Sequence, residues 1–267
     1  MADDREIDRK RLLIERLAEL LSRHVVGIFR EGPQGRPESH GSGFLVSSST
    51  GSLLISAAHV LDPLQSGTKL FFYAGPGVIR TLAGSVRVTN PPAGKDRKAD
   101  RYDVGVLRLL EPASPPDLPV NKTGLPLSAL MPRALPRRGK EYLVTGFPAS
   151  KSKLHPVRQE VDAGFYGNWC PSASEPAYEK MALSLEDHIV MPFSRKKVVG
   201  EGLTIRAFPN PEGMSGSPVW LLRDEARTND SVQTPVVGVL VEYHRSQNLL
   251  VATDINTVVE LMKTFDA

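Results

Sequence analysis

The sequence predicts an all-β protein made of two small barrels of about six strands each. Short β-type runs recur along most of the chain, and Gly, Pro and Asn residues separate them. The 22 glycines and 22 prolines among 267 residues supply the many turns that such a fold needs. A Pro-rich stretch, Glu111–Pro119, divides the strand pattern into two halves and predicts a linker between them.

The first segment follows a different pattern, which predicts a helix over residues 4–23. Its apolar side chains recur at three- and four-residue spacing, with Arg and Glu on the opposite face. This apolar stripe consists of Leu13, Ile14, Leu17, Leu20 and Leu21. We expect the helix to pack on the body of the protein, with recruitment of a partner as the alternative.

Strand candidates are spread over both halves of the chain. Those of the first half are Val25–Phe29, Gly43–Val46, Leu53–Ala57, Lys69–Tyr73, Val86–Thr89 and Val104–Leu109. Those of the second half are Tyr142–Thr145, Val157–Val161, Met181–Leu185, Leu203–Arg206, Pro218–Leu222, Val236–Val241 and Leu249–Thr253, and a short helix, Thr257–Lys263, follows them. The predicted organisation is an N-terminal helix at 1–24, a first barrel at 25–110, a linker at 111–140, and a second barrel with the C-terminal helix at 141–267.

Composition and charge exclude several classes of protein. Basic residues cluster in two segments that we expect to be solvated loops: Arg133, Arg137, Arg138 and Lys140, and then Arg195, Lys196 and Lys197. Without interleaved aromatic residues they do not indicate nucleic-acid binding, and no apolar run approaches the roughly 20 residues of a membrane span. The first residues lack the apolar run of a signal peptide, and the single cysteine, Cys170, allows no intramolecular disulfide. We therefore expect a cytoplasmic protein.

Three segments carry the residue types that nucleophilic catalysis requires. His59 follows an apolar strand, Asp103 directly precedes another, and Ser215 lies in a glycine-flanked turn between Gly213 and Gly216. A serine hydroxyl is a weak nucleophile until a base takes its proton, and histidine, oriented by an acid, is suited to this near neutral pH. Such a turn also offers the backbone N–H groups of Gly213 and Ser215 to an oxyanion. We predict His59, Asp103 and Ser215 as a catalytic triad.

Together these segments resemble the motifs of the chymotrypsin-like serine protease superfamily, and especially its disulfide-free bacterial trypsin-like branch. The ranges Gly41–Phe44 and Ala57–His59 are similar to its first motif, Asp103–Leu107 to its second, and Gly213–Pro218 to its third. The resemblance runs from about Val25 to the closing helix and implies a double barrel with the active site between the barrels. It implies a serine endopeptidase that hydrolyses protein or peptide substrates through an acyl-enzyme intermediate.

The resemblance also implies where substrate specificity is decided. Pro209, six residues before the nucleophile, would lie at the base of the pocket for the side chain that precedes the scissile bond. Val241, Glu242 and Tyr243 would form the pocket wall and pair with the substrate backbone. Because Pro209 is not acidic, we expect a preference for small or apolar residues over Arg or Lys. Met214 occupies a position that is acidic in the digestive branch, so we expect no activation by N-terminal cleavage.

Rival residues have weaker surroundings. Asp96 and Asp100 lie in a Lys/Arg-rich loop, and Ser217 leads directly into Pro218. Cys170 is expected to be a structural thiol. The remaining histidines, His24, His40, His155, His188 and His244, show no metal-ligand spacing, so we expect no metal and no cofactor. The chain order of His, Asp and Ser also disfavours an α/β-hydrolase, in which the serine comes first.

Two alternatives to an active endopeptidase remain. One is a catalytically latent or inactive protease-like fold that acts as a binding or regulatory module. The other is a scaffold whose N-terminal helix recruits partners, and this role is compatible with activity. A regulatory protein partner is a hypothesis that no particular residue supports.

Overall fold

The computed structural model describes residue 17 and the ranges 20–49, 51–75, 78–110, 122–155, 160–194, 198–200, 208–222 and 234–265. In these residues the chain is mostly β, with two large curled sheets and a few short helices. The predicted all-β double-barrel fold is therefore confirmed. No helix within the described ranges has the length and apolar character to cross a membrane.

The first sheet is antiparallel apart from one short strand. It contains β1 (Val25–Glu31), β2 (Pro37–Ser48), β3 (Gly51–Ala57), β4 (Leu70–Gly75), β5 (Val78–Leu82), β6 (Gly84–Val88) and β7 (Val104–Leu109). Their spatial order is β5-β4-β1-β2-β3-β7-β6, and β8 (Leu125–Pro126) pairs in parallel with β2. Helix α1 (Ala58–Gln65) directly follows β3 and packs against β3, β6 and β7.

The second sheet consists of seven strands: β9 (Glu141–Gly146), β12 (Tyr166–Pro171), β13 (His188–Pro192), β14 (Val198–Gly200), β15 (Pro218–Leu222), β16 (Val236–His244) and β17 (Leu249–Asp254). Their spatial order is β13-β17-β16-β15-β9-β12-β14. A separate hairpin is formed by β10 (Ser152–His155) and β11 (Glu160–Ala163). Helix α2 (Glu175–Lys180) lies between β12 and β13, and α3 (Ile255–Lys263) follows β17.

One apolar cluster joins the two sheets. It contains Val26, Phe44 and Leu54 of the first sheet together with Leu143 and Trp220 of the second, all fully buried. The central strands are apolar on both faces because they are covered on both, so they appear in the sequence as continuous apolar runs. The contact between the barrels, where the predicted site lies, is therefore held by packing of their inner strands.

Most predicted strands match observed ones, but the prediction for Met181–Leu185 is wrong. Its alternating apolar pattern resembles a strand, yet the segment terminates α2. The N–H of Ala182 donates to Glu179 O at 3.0 Å, and that of Leu183 donates to Tyr178 O at 3.0 Å. Because these N–H groups bond to carbonyl oxygens at the end of the helix, they cannot form the hydrogen bonds of a β-strand. The prediction for Leu203–Arg206 lies outside the described residues.

The sequence does not predict strands β5, β8, β10, β12, β13 and β14, and the two large sheets contain eight and seven strands. Strand β12 has the sequence Tyr-Gly-Asn-Trp-Cys-Pro, and Gly, Asn and Pro all have low strand propensity. It forms because β9 pairs with it along its length, from Tyr166 to Pro171. Tertiary pairing thus overrides the local preference of this segment.

The expectation of a solvated basic loop is wrong for Arg137, which is 2% exposed. Its Nη2 atom pairs with Asp254 Oδ2 at 2.8 Å, and its Nε atom donates to Leu185 O at 2.6 Å. A buried guanidinium requires such partners, because desolvation of an unpaired charge is costly. The second basic cluster, Arg195–Lys197, lies outside the described residues.

The end of the N-terminal helix is anchored to the segment before β8. Most of residues 4–23 lies outside the described residues, but Leu17 and Leu21 are helical and buried in the main apolar cluster. The ammonium group of Lys122 donates to Ser22 O and to Val25 O, at 2.7 Å each. A cation at this position satisfies free carbonyl groups at the end of a helix.

Candidate active site

His59 and Asp103 are joined by two hydrogen bonds. The Nδ1 atom of His59 lies 2.5 Å from Asp103 Oδ2, and the backbone N–H of His59 donates to Asp103 Oδ1 at 3.0 Å. Because a carboxylate only accepts hydrogen bonds, the ring proton is on Nδ1. In the neutral ring, Nε2 then carries the free lone pair. A histidine that takes a proton from a serine needs its lone pair on this atom.

The backbone at Asp103 adopts an uncommon conformation. Its φ is +47°, in the left-handed region that most side chains avoid and that Asp tolerates better than most. Its carbonyl oxygen accepts the N–H of Ala58, the first residue of α1, at 2.8 Å. Both the side chain and the carbonyl of Asp103 therefore bind the first turn of the helix that carries His59. These hydrogen bonds help to hold Asp103 in its left-handed conformation.

Gly41 lies between the segments that carry His59 and Ser215. A Cβ atom on Gly41 would lie 2.6 Å from the side chain of Val60, the residue after His59, and 3.1 Å from Ser215 O. The next residue, Ser42, donates its N–H to Ser215 O at 2.8 Å. The first barrel therefore meets the Ser215 turn beside His59, and only glycine leaves room for this approach.

Ser215 lies at the edge of the second barrel, in the turn before β15. Its hydroxyl donates to Val241 O at 3.5 Å, a long hydrogen bond. The neighbouring N–H groups of Met214, Gly216 and Ser217 all donate to backbone carbonyl oxygens. The N–H groups of Gly213 and Ser215, the predicted oxyanion donors, have no acceptor among the residues that the structure describes.

Gly213 requires its glycine for two reasons. Its φ is +86°, and a Cβ atom there would lie 2.6 Å from the nitrogen of Ala149. The carbonyl oxygen of Glu212 accepts the N–H of Ala149 at 2.7 Å. Because the C=O and N–H of a trans peptide point in opposite directions, the N–H of Gly213 points away from Ala149.

The predicted pocket wall lies on β16, next to Ser215. Val241 is the extra residue of a β-bulge between Leu240 and Glu242, and it presents its carbonyl oxygen to the Ser215 hydroxyl. The Glu242 side chain is 59% exposed and pairs with His244 at 2.9 Å. Bulges of this kind re-aim a strand beside a functional site.

The other predicted pocket residues belong to an aromatic cluster. The ring of Tyr243 packs edge-on against Phe193 at 5.1 Å, and Phe193 packs edge-on against Phe208 at 5.7 Å. Pro209 directly follows Phe208 and is buried. Met214 is 1% exposed and lies in the same apolar cluster as Phe193 and Phe208. The position before Ser215 therefore contributes to the core of the second barrel and makes no ion pair.

The rival residues are engaged elsewhere. Asp100 accepts the Thr89 hydroxyl at 2.6 Å and pairs with Arg97 at 2.8 Å. Asp96 accepts the N–H of Lys98 at 3.1 Å, which caps a short 3₁₀ helix. Ser217 is fully buried. Asp103, by contrast, has both carboxylate oxygens bonded to His59.

His40 lies near the site, although its sequence surroundings predict no role there. It is the extra residue of a bulge in β2, opposite the step from Ile28 to Phe29. Burial lowers the pKa of His40 to about 4, and the positive charges of Arg30 and of protonated His59 act in the same direction. The ring is therefore neutral near pH 7. No local sequence pattern predicts this position, because a β-bulge is defined by the pairing with the partner strand.

An open groove of about 560 Å³ adjoins His59 on the first barrel. It is lined by charged side chains of the β1–β2 hairpin and of α1, including Arg30, Glu31, Glu38 and Asp62. Arg30 and Glu38 form an ion pair at 3.2 Å across its wall. The sequence did not reveal this groove, because its lining comes from separate elements.

A family model described as a trypsin-like peptidase domain matches residues 41–226, which is more than half of the chain and includes all three predicted triad residues. A search of curated proteins finds no match. Within the described ranges, no three His, Cys, Asp or Glu side chains come together as a metal site would require.

Proposed function

The chain belongs to the trypsin-like peptidase family, and we propose that it is a serine endopeptidase with Ser215 as nucleophile, His59 as general base and Asp103 as the orienting acid. The observation that carries this proposal is the paired hydrogen bonding of Asp103 to the ring and backbone of His59, at 2.5 and 3.0 Å. Its substrates are proteins or peptides, the class that the family acts on.

The proposed reaction uses the lone pair on His59 Nε2. This atom takes the Ser215 proton while Oγ attacks the peptide carbonyl, and it then gives that proton to the leaving amine. Water hydrolyses the acyl-enzyme by the same route. Asp103 stays ionised and stabilises the imidazolium, and each backbone donor to the oxyanion contributes about 10²–10³ in kcat. Gly213 and Ser215 are the proposed donors because their N–H groups have no acceptor in the described part of the chain.

The acyl half of the substrate is proposed to pair with β16 as an added strand. Its side chain before the scissile bond would then approach Val241 and the aromatic cluster of Tyr243, Phe193 and Phe208. Pro209 is buried beside this cluster. The described side chains of this region are apolar or aromatic, which favours a small or apolar substrate side chain over Arg or Lys, because burial of an unpaired cation is costly.

One observation favours the alternative of a latent or inactive module. The Ser215 hydroxyl donates to Val241 O at 3.5 Å, whereas an active enzyme directs this proton at the base. Catalytic hydrogen bonds in unbound enzymes are often long and tighten when substrate binds. A regulatory protein partner that reorients the Ser215 turn would belong to this alternative.

Labelling with a fluorophosphonate probe tests the proposal. We expect the native chain to be labelled and the Ser215→Ala variant to be unlabelled, because triad removal costs on the order of a million-fold in turnover. Ser217→Ala is the matched control, since it removes a serine two residues away, and it should retain labelling. A folded native chain that takes up no probe would support the latent or binding module instead.

We also propose that the protein is cytoplasmic. Its one cysteine, Cys170, is fully buried, with Sγ 3.0 Å from Asn168 Oδ1, and this geometry suits a reduced thiol. Cell fractionation of the full chain tests this, and recovery outside the cytoplasm would contradict it.

A further inference from the structure

The segment directly before Asp103 is held by the second barrel. The Nε2 atom of His188, on β13, lies 2.9 Å from Arg101 O. The hydroxyl of Thr253, on β17, donates to Tyr102 O at 2.5 Å. Two consecutive carbonyl groups of the first barrel thus bind two side chains of the second.

His188 and Thr253 act as one unit in the sheet. They are direct partners in the antiparallel register of β13 and β17, so their side chains project on the same face. His188 is 1% exposed and Thr253 is fully buried. The His188 ring also lies parallel to the ring of Tyr102, with centroids 6.0 Å apart and an interplanar angle of 4°.

These contacts bear on the conformation of Asp103. Its φ of +47° is one that persists only when the surroundings hold it. After Asp103, its own carbonyl is held by the N–H of Ala58 at 2.8 Å. Before Asp103, the hydrogen bonds from His188 and Thr253 restrain the peptides on the other side. The second barrel therefore restrains the backbone from which the Asp103 carboxylate reaches His59.

We propose that His188 and Thr253 are positioning residues that align Asp103 with His59 from across the barrel interface. This inference rests on the proposed function, in which Asp103 is the acid of the triad. It implies that the two barrels must be docked for the triad to be aligned, although His59 and Asp103 both lie in the first barrel. Neither His188 nor Thr253 contacts the reacting atoms in this proposal.

His188 suits this role because its ring is held in one protonation state. A carbonyl oxygen only accepts, so Nε2 carries the proton that binds Arg101 O. Its Nδ1 atom is also buried. Burial lowers the pKa of His188, and this effect outweighs the Ser184 carbonyl and the Asp187 charge, which act in the opposite direction. The ring therefore stays neutral, with the tautomer that the contact needs.

Two pairs of variants test the inference, and in each pair one variant removes the hydrogen-bond donor while the other keeps one. Thr253→Val removes the hydroxyl while keeping the shape, and Thr253→Ser keeps the hydroxyl. His188→Phe keeps the stacked ring without its donor, and His188→Gln supplies an amide donor near the position of Nε2. Ile189→Ala controls for stability, because Ile189 is fully buried on the opposite face of β13 and belongs to the core of the second barrel.

The first readout is kinetic. We expect Thr253→Val and His188→Phe to lower kcat about 10- to 100-fold, since small misplacements of catalytic groups have costs of this order. KM should stay within about twofold, because the substrate-binding groups are not touched. Thr253→Ser and His188→Gln should recover most of kcat. Ile189→Ala should lower the melting temperature but leave kcat near that of the native chain at a temperature where it is folded.

The second readout needs no turnover. The proton between His59 Nδ1 and Asp103 is in a short hydrogen bond, so it should give a downfield NMR signal, which we would record in the Ser215→Ala chain. Added to that chain, Thr253→Val should shift or broaden the signal, whereas Ile189→Ala should leave it unchanged. A native chain that cleaves no substrate would overturn the proposed function and still leave this signal to test the positioning. If Thr253→Val folds with the signal unmoved and, in an active chain, with kcat unmoved, the positioning role is wrong.

Discussion

Ser42 and Gly213 connect the first barrel to the turn that carries the proposed nucleophile. The Ser42 hydroxyl donates to Gly213 O at 2.9 Å and accepts the N–H of Phe147 at 3.0 Å. Ser42 is fully buried on β2, whereas Gly213 and Phe147 belong to the second barrel. One side chain of the first barrel thus satisfies two backbone groups of the second, next to the proposed oxyanion donors.

Replacing Ser42 by Ala should destabilise the fold and disturb the nucleophile turn. The change leaves Gly213 O and the N–H of Phe147 without this partner, which costs about 1–3 kcal/mol for each buried group that water does not reach. Urea unfolding of Ser42→Ala measures the loss. Ser47→Ala, at an exposed position on the same strand, should stay within about 0.5 kcal/mol of the native chain. Equal stability of the two variants would contradict this account of Ser42.

Replacing Gly216 by Ala should be more damaging than its backbone conformation alone explains. Gly216 has φ +90°, and a Cβ atom there would overlap Ser42 O and the hydroxyl of Ser56. Gly67 is a matched control, because it has φ +80° and nothing within 4 Å of its Cβ position. We expect Gly67→Ala to cost about 1–2 kcal/mol, the penalty of the left-handed conformation, and Gly216→Ala to cost clearly more. Similar unfolding midpoints would show that the turn shifts without strain.

Replacing Asp103 by Asn should slow the proposed reaction without removing the proposed nucleophile, Ser215. A neutral amide favours the wrong tautomer of His59, and the equivalent change in a triad lowers kcat by about 10⁴-fold. The rate of fluorophosphonate labelling measures the effect. Asp96→Asn tests a rival acid and should leave that rate within about tenfold of the native chain, since Asp96 accepts the N–H of Lys98 at the start of a short 3₁₀ helix. Comparable losses in both variants would argue against Asp103 as the acid.

The stability of the fold should fall on acidification below about pH 6.5. Burial lowers the pKa of His40 to about 4, so the unfolded chain binds more protons than the folded one between about pH 4 and 6.5. His24 and His188 also have lowered pKa values, mainly through burial. The stability from neutral His40 is complete above about pH 6.5 and is lost as the pH falls toward 4, with a slope of up to about 1.4 kcal/mol per pH unit.

Urea unfolding at pH 7 and pH 5 measures this dependence. The His40→Gln variant lacks the titrating ring and should lose less stability between the two pH values than the native chain does. His244→Gln is the control, since the His244 ring is partly exposed and lies beside Glu242. Equal pH dependence in the native chain and His40→Gln would contradict the role given to His40.

The buried pair of Arg137 and Asp254 should be sensitive to the loss of one partner. Both side chains are 1% exposed and 2.8 Å apart, and Asp254 also caps α3 through the N–H of Asn256. Arg137→Met should cost about 3–5 kcal/mol, because it leaves a buried carboxylate without its cation. Combining it with Asp254→Asn, which keeps a cap acceptor, should recover part of this loss. The exposed pair of Lys263 and Glu260 provides the control, with an expected effect of about 1 kcal/mol or less for Lys263→Ala.

The sequence by itself determined the β character of the chain and the sites of most strands. Ranges such as Leu53–Ala57 and Val104–Leu109 are apolar runs bounded by turn residues, and β3 and β7 contain them. The same local signals predict His59, Asp103 and Ser215, because each lies close to the end of a strand. Turn chemistry and apolar patterning act over a few residues, so they can be read from the sequence alone.

Only the tertiary structure decided which of these residues meet. The ring of His59 reaches an acid 44 positions away, and Thr253 reaches Tyr102 O across 151 positions. The burial of Arg137 depends on Asp254, and the end of α2 at Met181–Leu185 depends on backbone donors that a strand pattern does not reveal. The contact of Thr253 with Tyr102 arises from the docking of the two barrels, and that of His59 with Asp103 arises from the folding of the first barrel. Local periodicity carries no information about residues that far apart in the sequence.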